Sequence, residues 1–245
     1  MSDKFIVITG ASSGVGKSLV EFFSKQMNVV AIARRLDKLD KNFGHLPNVS
    51  CYKCDVSNPE DIRRTFSEIK TKHGFIGYLI NNAGIMKQGL FTELSQDDFE
   101  VSLGVNLMAP IMAMQQVLPE MVEQNFGRII NVTSGAPLNN FERSAAYSGS
   151  KGALNSVTIT AAKELAEKNI KINLMSPGAV RSEMAPHMDV DPSICHPTAN
   201  YLINLDANGE TGEFFWLGHR VPMFSDLTDT DWLGGKAGRN MVKIL

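Results

Sequence analysis

Tyr147 and Lys151 stand four residues apart in Ser144-Ala-Ala-Tyr147-Ser-Gly-Ser-Lys151. Residues 152–168 are rich in Ala and Leu, so the segment 144–168 is predicted to be a helix. On a helix, positions i and i+4 share a face. A tyrosine hydroxyl titrates near pH ~10 and is a poor acid or base at neutrality. A neighbouring cation favours the phenolate and lowers that value, which suits a general acid–base. The spacing therefore predicts that Tyr147 carries a proton and that Lys151 lowers its pKa. A lone Tyr-x-x-x-Lys most often belongs to an ordinary amphipathic surface, so the pair gains meaning only from the elements that position it.

Those elements alternate between strand and helix. Phe5–Thr9 is a β-branched apolar run of the kind buried on both faces of a parallel sheet. Gly10-Ala11-Ser12-Ser13-Gly14-Val15-Gly16 follows, and then a helical pattern through Val20, Phe22 and Phe23. A strand, a glycine-rich turn and a helix present backbone N–H groups to a pyrophosphate. Glycines allow the ligand close to the backbone and the helix close to the strand. The spacing Gly-x-x-x-Gly-x-Gly differs from the common Gly-x-Gly-x-x-Gly fingerprint. Asn28–Ala33 is a second strand, and it ends at Arg34-Arg35. In a dinucleotide fold, an acid at that place binds the ribose of NAD, whereas arginine accommodates the 2′-phosphate of NADP. No acid stands at the strand end itself, and Asp37 comes later, so NADP(H) is expected over NAD(H).

Further strands are predicted at residues 48–56, 78–80, 127–134 and 170–176, with a last one at 211–217. Asn58 and Pro59 begin a helix to about residue 72, and 94–125 is helical with breaks at Pro110 and Pro119. This gives an α/β fold: a Rossmann-type doubly wound parallel sheet of about seven strands with helices on both faces. Ligands bind such sheets at the carboxyl ends of the strands. Thr9, Arg34, Asp55, Asn82 and Ser134 all fall at such ends. Asn106, in the apolar run Val105-Asn-Leu-Met-Ala, is either a satisfied core amide or part of the site.

The 245 residues are 43% hydrophobic and 20% charged with net charge −2, which suits one domain over 1–245 and no nucleic-acid surface. No leader segment and no apolar run long enough to span a bilayer is expected, so the chain is placed in the cytoplasm. Cys51 and Cys54 sit in a predicted strand, where residues three apart point to opposite faces; with Cys195 they read as reduced thiols. His187 and His196 lack metal-ligand spacing, and no metal is expected. Residues 183–200, with Pro186, Pro192 and Pro197, read as a substrate loop or lid, with a helical turn expected at 201–205. The polar segment 225–245 reads as a C-terminal tail, poorly ordered or used between copies.

These residues together resemble the short-chain dehydrogenase/reductase family in its compact single-domain form, over roughly residues 4–182. Thr9-Gly10-x-x-x-Gly14-x-Gly16, Asn81-Asn82-Ala83-Gly84 and Pro177-Gly178 match the family's motifs. Asn106, Ser134, Tyr147 and Lys151 match its catalytic tetrad in order and spacing. The resemblance implies that Tyr147 moves a proton at the substrate oxygen and that Ser134 bonds that oxygen. It implies that Lys151 bonds the nicotinamide ribose and that Asn106 holds a water of the proton relay. It places Gly10, Ser12, Ser13, Gly14, Val15 and Gly16 around the cofactor phosphates. Arg34 and Arg35 fall at the basic position of NADP-preferring members. Asp55 and Val56 would flank the adenine, with Asn82, Ala83 and Gly84 along the cofactor. Pro177, Gly178, Val180 and Ser182 would lie at the nicotinamide end. The stretch from Thr211-Gly212 departs from the pattern of many relatives and is closer to carbonyl-reductase-like members.

The implied activity is hydride transfer between NADP(H) and a carbonyl or secondary alcohol. The partner is a small-molecule substrate, with no nucleic acid and no membrane. A homodimer or homotetramer packed through the long helices is expected. The alternative is a non-catalytic NADP-binding sensor or scaffold, which would have no need of four tetrad residues together.

Overall fold

The structure, a computed structural model, describes residues 5–223 and 238–241. Eight strands form one sheet in the order β3-β2-β1-β4-β5-β6-β7-β8. They are β1 (Phe5–Thr9), β2 (Asn28–Ala33), β3 (Val49–Lys53), β4 (Tyr78–Asn81), β5 (Gly127–Val132), β6 (Ile170–Ser176), β7 (Phe214–Trp216) and β8 (His219–Val221). All pairings are parallel except β7 with β8. β1 pairs with both β2 and β4, so the strand order reverses there and opens a crevice at the carboxyl edge.

Alternation along β1 divides the core into two layers. Ile6 and Ile8 face a cluster with Leu19 and Phe23 of α1 (Gly14–Phe23), Leu39 and Phe43 of α2 (Leu36–Phe43), and Leu202 of α8 (His196–Ile203). Phe5 and Val7 face a cluster with Ile62 and Phe66 of α3 (Pro59–His73) and Val117 and Met121 of α5 (Ala109–Glu123). Strands covered on both faces explain the near-continuous apolar runs. Asn58 caps α3 as its side chain accepts from the Glu60 and Asp61 amides.

Several expectations change. An eighth strand exists because β7 turns back through Leu217 and Gly218, both at positive φ (46° and 78°), in the manner of a two-residue hairpin. Within the expected helical region 94–125, Gln96–Glu123 form one unbroken helical stretch: α4 (Gln96–Leu103), a π turn (Gly104–Met108) and α5. Pro110 lacks the N–H that would bond the Asn106 carbonyl, and the backbone passes it with the wider π turn, the Ala109 amide bonding the Gly104 carbonyl. Pro119 sits inside α5 without ending it.

This stretch, Gln96–Glu123, matches a membrane span by length and composition alone, a match that a buried core helix also makes. Half of its most apolar window is buried, with Ala113, Met114, Val117 and Met121 in the core. α2 fills a place where no helix was expected. The second half of the expected loop 183–200 is a 3₁₀ turn (Pro192–Cys195) leading into α8, with Cys195 and Ala199 fully buried. Prolines 192 and 197 stand in first turns, where a missing N–H costs nothing. The expected tail, 225–245, lies outside the described residues apart from 238–241.

Candidate active site

Two helices follow β5 at this edge: the short α6 (Ala136–Asn139) and the long α7 (Ala145–Glu164). α7 carries Tyr147 and Lys151. It is held to the sheet by polar groups inside the apolar layer. Asn81 Nδ2 donates to Asn131 Oδ1 at 2.8 Å, Asn131 Nδ2 to Thr158 Oγ1 at 2.9 Å, and Thr133 Oγ1 to Asn155 Oδ1 at 2.6 Å. All five residues are buried; the first bond ties β4 to β5, and the bonds to Thr158 and Asn155 raise the penalty for α7 shifting. Sequence reasoning passed over this set. The signal was the recurrence of Asn and Thr within otherwise apolar strand and helix faces.

Tyr147 hydrogen-bonds Ser134, whose Oγ also accepts from the Ala136 amide at 3.1 Å. Lys151 is buried, and its ammonium donates to the Val132 carbonyl at 2.7 Å. This overturns the expected pKa shift. Helical spacing does put the two side chains on one face, but the ammonium turns to a backbone oxygen. Burial pushes the Tyr147 pKa up, with the Ser134 hydroxyl only partly offsetting it. Burial also pulls Lys151 down to about 8.

Asn106 is a satisfied core amide. Its Oδ1 accepts from the Ile85 amide at 2.9 Å, and its Nδ2 donates to the Ile85 carbonyl at 2.9 Å and to Ser150 Oγ at 3.0 Å. Ser150 Oγ in turn donates to the Tyr147 carbonyl at 2.8 Å. The side chain thus clamps the exit of β4 to α7. A Cβ built on Gly84 would stand 3.2 Å from Asn106 Oδ1 and 3.6 Å from Lys151 Nζ, so the β4 exit runs close beside both.

The glycine turn is equally tight. Gly10 and Gly14 have φ of 68° and 53°. A Cβ on Gly16 would fall 2.3 Å from the Gly10 carbonyl oxygen, a distance no side chain tolerates. The turn is tied to β4 by Thr9, whose Oγ1 accepts from the Asn82 and Ala83 amides at 3.0 and 3.1 Å. Asn82 Nδ2 donates to the Thr9 and Gly10 carbonyls, so its amide builds the turn. Asp55 is spent on its own turn, accepting from the Ser57 amide and hydroxyl, while Val56 packs on the core.

The two arginines part company. Arg34 is exposed, with no polar partner among the described residues. Arg35 donates to Ser12 Oγ and Ser13 Oγ, both at 3.0 Å from Nη2, and pairs with Glu183 at 2.7 Å. Lys38, one turn along α2, also reaches Glu183 at 2.7 Å. Lys38 and Glu183 were not singled out from sequence. Arg35, Lys38 and Ser13 hold the Glu183 carboxyl down at about 2. An anion of the protein's own thus stands within a donor set suited to phosphate. Pro177, Gly178, Val180 and Ser182 follow β6; Val180 is buried and Gly178 has φ 83°. The glycine cradle, basic cluster and Tyr147–Ser134 pair lie along one edge, and this chemistry fits a phosphorylated dinucleotide.

A model of the family described as short chain dehydrogenase matches residues 4–192. An uncharacterised oxidoreductase of Staphylococcus saprophyticus is 34% identical, covering 87% of this chain and 95% of its own. The 3-oxoacyl-[acyl-carrier-protein] reductase FabG of Thermotoga maritima is 31% identical, covering 87% of each. Among solved structures, a metagenomic short-chain oxidoreductase in complex with NADP superposes with a TM-score of 0.78 at 26% identity, covering 88% of this chain and 97% of its own. Sequence, fold and edge chemistry agree, and the chain belongs to the short-chain dehydrogenase family of oxidoreductases.

Proposed function

We propose that this chain transfers hydride between NADP(H) and a carbonyl or secondary alcohol carbon, with Tyr147 exchanging the proton at the substrate oxygen. The observation that carries this reading is Tyr147, hydrogen-bonded to Ser134, on the same helix face as the buried Lys151. NADP(H), when bound, supplies the hydride donor or acceptor. The Gly10–Gly16 turn and Ser12 and Ser13 would hold its phosphates. Arg35, with Lys38, would take the 2′-phosphate.

Ser134 orients the substrate oxygen toward Tyr147. Lys151, anchored on the Val132 carbonyl, would bond the nicotinamide ribose. Asn106 positions α7 through Ser150 and the Ile85 backbone. Because burial raises its pKa, Tyr147 is protonated at neutral pH. It is then ready to give a proton to a carbonyl oxygen. Exposed Phe91, Phe141 and Met184 on loops at this edge support a substrate with an apolar group. Exposed Val101, Leu103, Met108 and Val122 on the α4–α5 stretch support packing between copies of the chain. The three free thiols fit a reducing, cytoplasmic setting.

The test is NADPH consumption with aldehydes, ketones and quinones by the wild type and by Tyr147→Phe. The reading expects turnover by the wild type only, with NADPH binding kept in both. Binding by both without turnover on any carbonyl would instead favour a sensor.

A further inference from the structure

Glu183 fills the basic cluster from a distant part of the chain. It follows β6, three strands away from β1 and so about 14 Å across the sheet edge. The segment returns over the glycine turn, where a Cβ on Gly14 would meet Ser182 Cβ at 3.0 Å. Both carboxylate oxygens are engaged: Oε1 by Lys38, and Oε2 by Arg35 at 2.7 Å and Ser13 Oγ at 3.1 Å. A guanidinium fork, an ammonium and a hydroxyl are also the donor set of a phosphate monoester. Such a monoester brings more charge and one more acceptor oxygen than a carboxylate. The side chains involved are 41–51% exposed, and exposed pairs of this kind exchange readily.

We propose that Glu183 is an internal substitute for the cofactor's 2′-phosphate. It straps the segment after β6 onto α2, and a 2′-phosphorylated cofactor displaces it and frees that segment. A cofactor lacking the phosphate leaves the strap in place. The segment carries Met184 and Met188, so the substrate side of the site responds to NADP(H) and not to NAD(H). This rests on the NADP(H) reading above.

The test uses the full chain, with hydrogen exchange at the Arg181, Ser182 and Ala185 amides. These bond to the Val190 carbonyl, the Ala185 carbonyl and the Ser182 carbonyl and hydroxyl. Adenosine 2′-monophosphate, which has no nicotinamide to order the segment, is expected to speed their exchange, and adenosine 5′-monophosphate to leave it unchanged. Glu183→Gln is expected to exchange fast without any ligand and to bind NADPH roughly three- to tenfold more tightly, NADH being unaffected. Unchanged or slower exchange with adenosine 2′-monophosphate, or NADPH affinity unimproved in Glu183→Gln, would overturn the strap while a wild-type preference for NADPH stood. If the wild type shows no preference for NADPH over NADH, the cofactor reading fails, and the strap with it.

Discussion

At the Tyr147 end of the sheet edge the polar groups are sunk among apolar layers and partnered, whereas at the Arg35 end they stand in solvent and pair ionically. Lys151, Asn106 and Ser150 are buried with named partners. Arg35, Lys38 and Glu183 are each more than a third exposed. The first end is set by desolvation and fixed hydrogen bonds, which water and salt barely reach. The second is set by charge, which salt screens within about 8 Å at physiological strength. One end is therefore suited to chemistry at a fixed geometry, and the other to selecting and exchanging an anion.

Perturbing the buried end should have the larger effects. Tyr147→Phe removes the proposed proton donor without changing the backbone. Steady-state kinetics should show turnover falling about 10²–10⁴-fold, the range of general acid–base catalysis. NADPH binding by fluorescence titration should stay within about twofold, since no phosphate contact is lost.

Lys151→Met should alter stability with a defined pH dependence. The folded pKa, about 8, lies below the ordinary lysine value of 10.5. Between those values the unfolded chain binds more protons, so this group's contribution rises with pH across that window. The burial cost, on the order of 3 kcal/mol from the size of that shift, is present below pH 8 and relieved above 10.5. Denaturant melts should show Lys151→Met gaining on the wild type at pH 7 and losing that advantage by pH 10.

At the exposed end, Arg35→Ala should weaken NADPH by roughly ten- to a hundredfold, the loss of a charge-assisted fork, and NADH by little. The NADPH preference should shrink with added salt in the wild type but not in Arg35→Ala. Arg34→Ala should be the mildest, within about threefold for either cofactor, because Arg34 is exposed and has no polar partner among the described residues. A larger effect at Arg34 than at Arg35 would reverse the assignment of the phosphate site.

Legibility in the sequence follows the same divide. β1, β2 and β6 could be read to the residue because strands covered on both faces are unbroken apolar runs. Asn58-Pro59 announced α3 through local chemistry. Tyr147–Lys151 was legible as helical spacing, but the direction of the Tyr147 shift was not. Desolvation and the Lys151–Val132 bond arise only when α7 packs on β5. α2 escaped because it is short and follows Arg34-Arg35 without a side-chain cap. The turn into β8 escaped because Leu217 adopts positive φ where Asn or Gly would have signalled it. Glu183 and Lys38 are 145 residues apart and read as ordinary surface charges until the segment after β6 brings them together.

The most direct test compares NADPH oxidation by the wild type and Tyr147→Phe on the same carbonyl panel, with NADPH affinity measured alongside. The account predicts turnover of at least one carbonyl by the wild type, its loss in the variant, and near-equal NADPH binding by both. Full turnover in the variant, or failure of the wild type to bind NADPH, would contradict it.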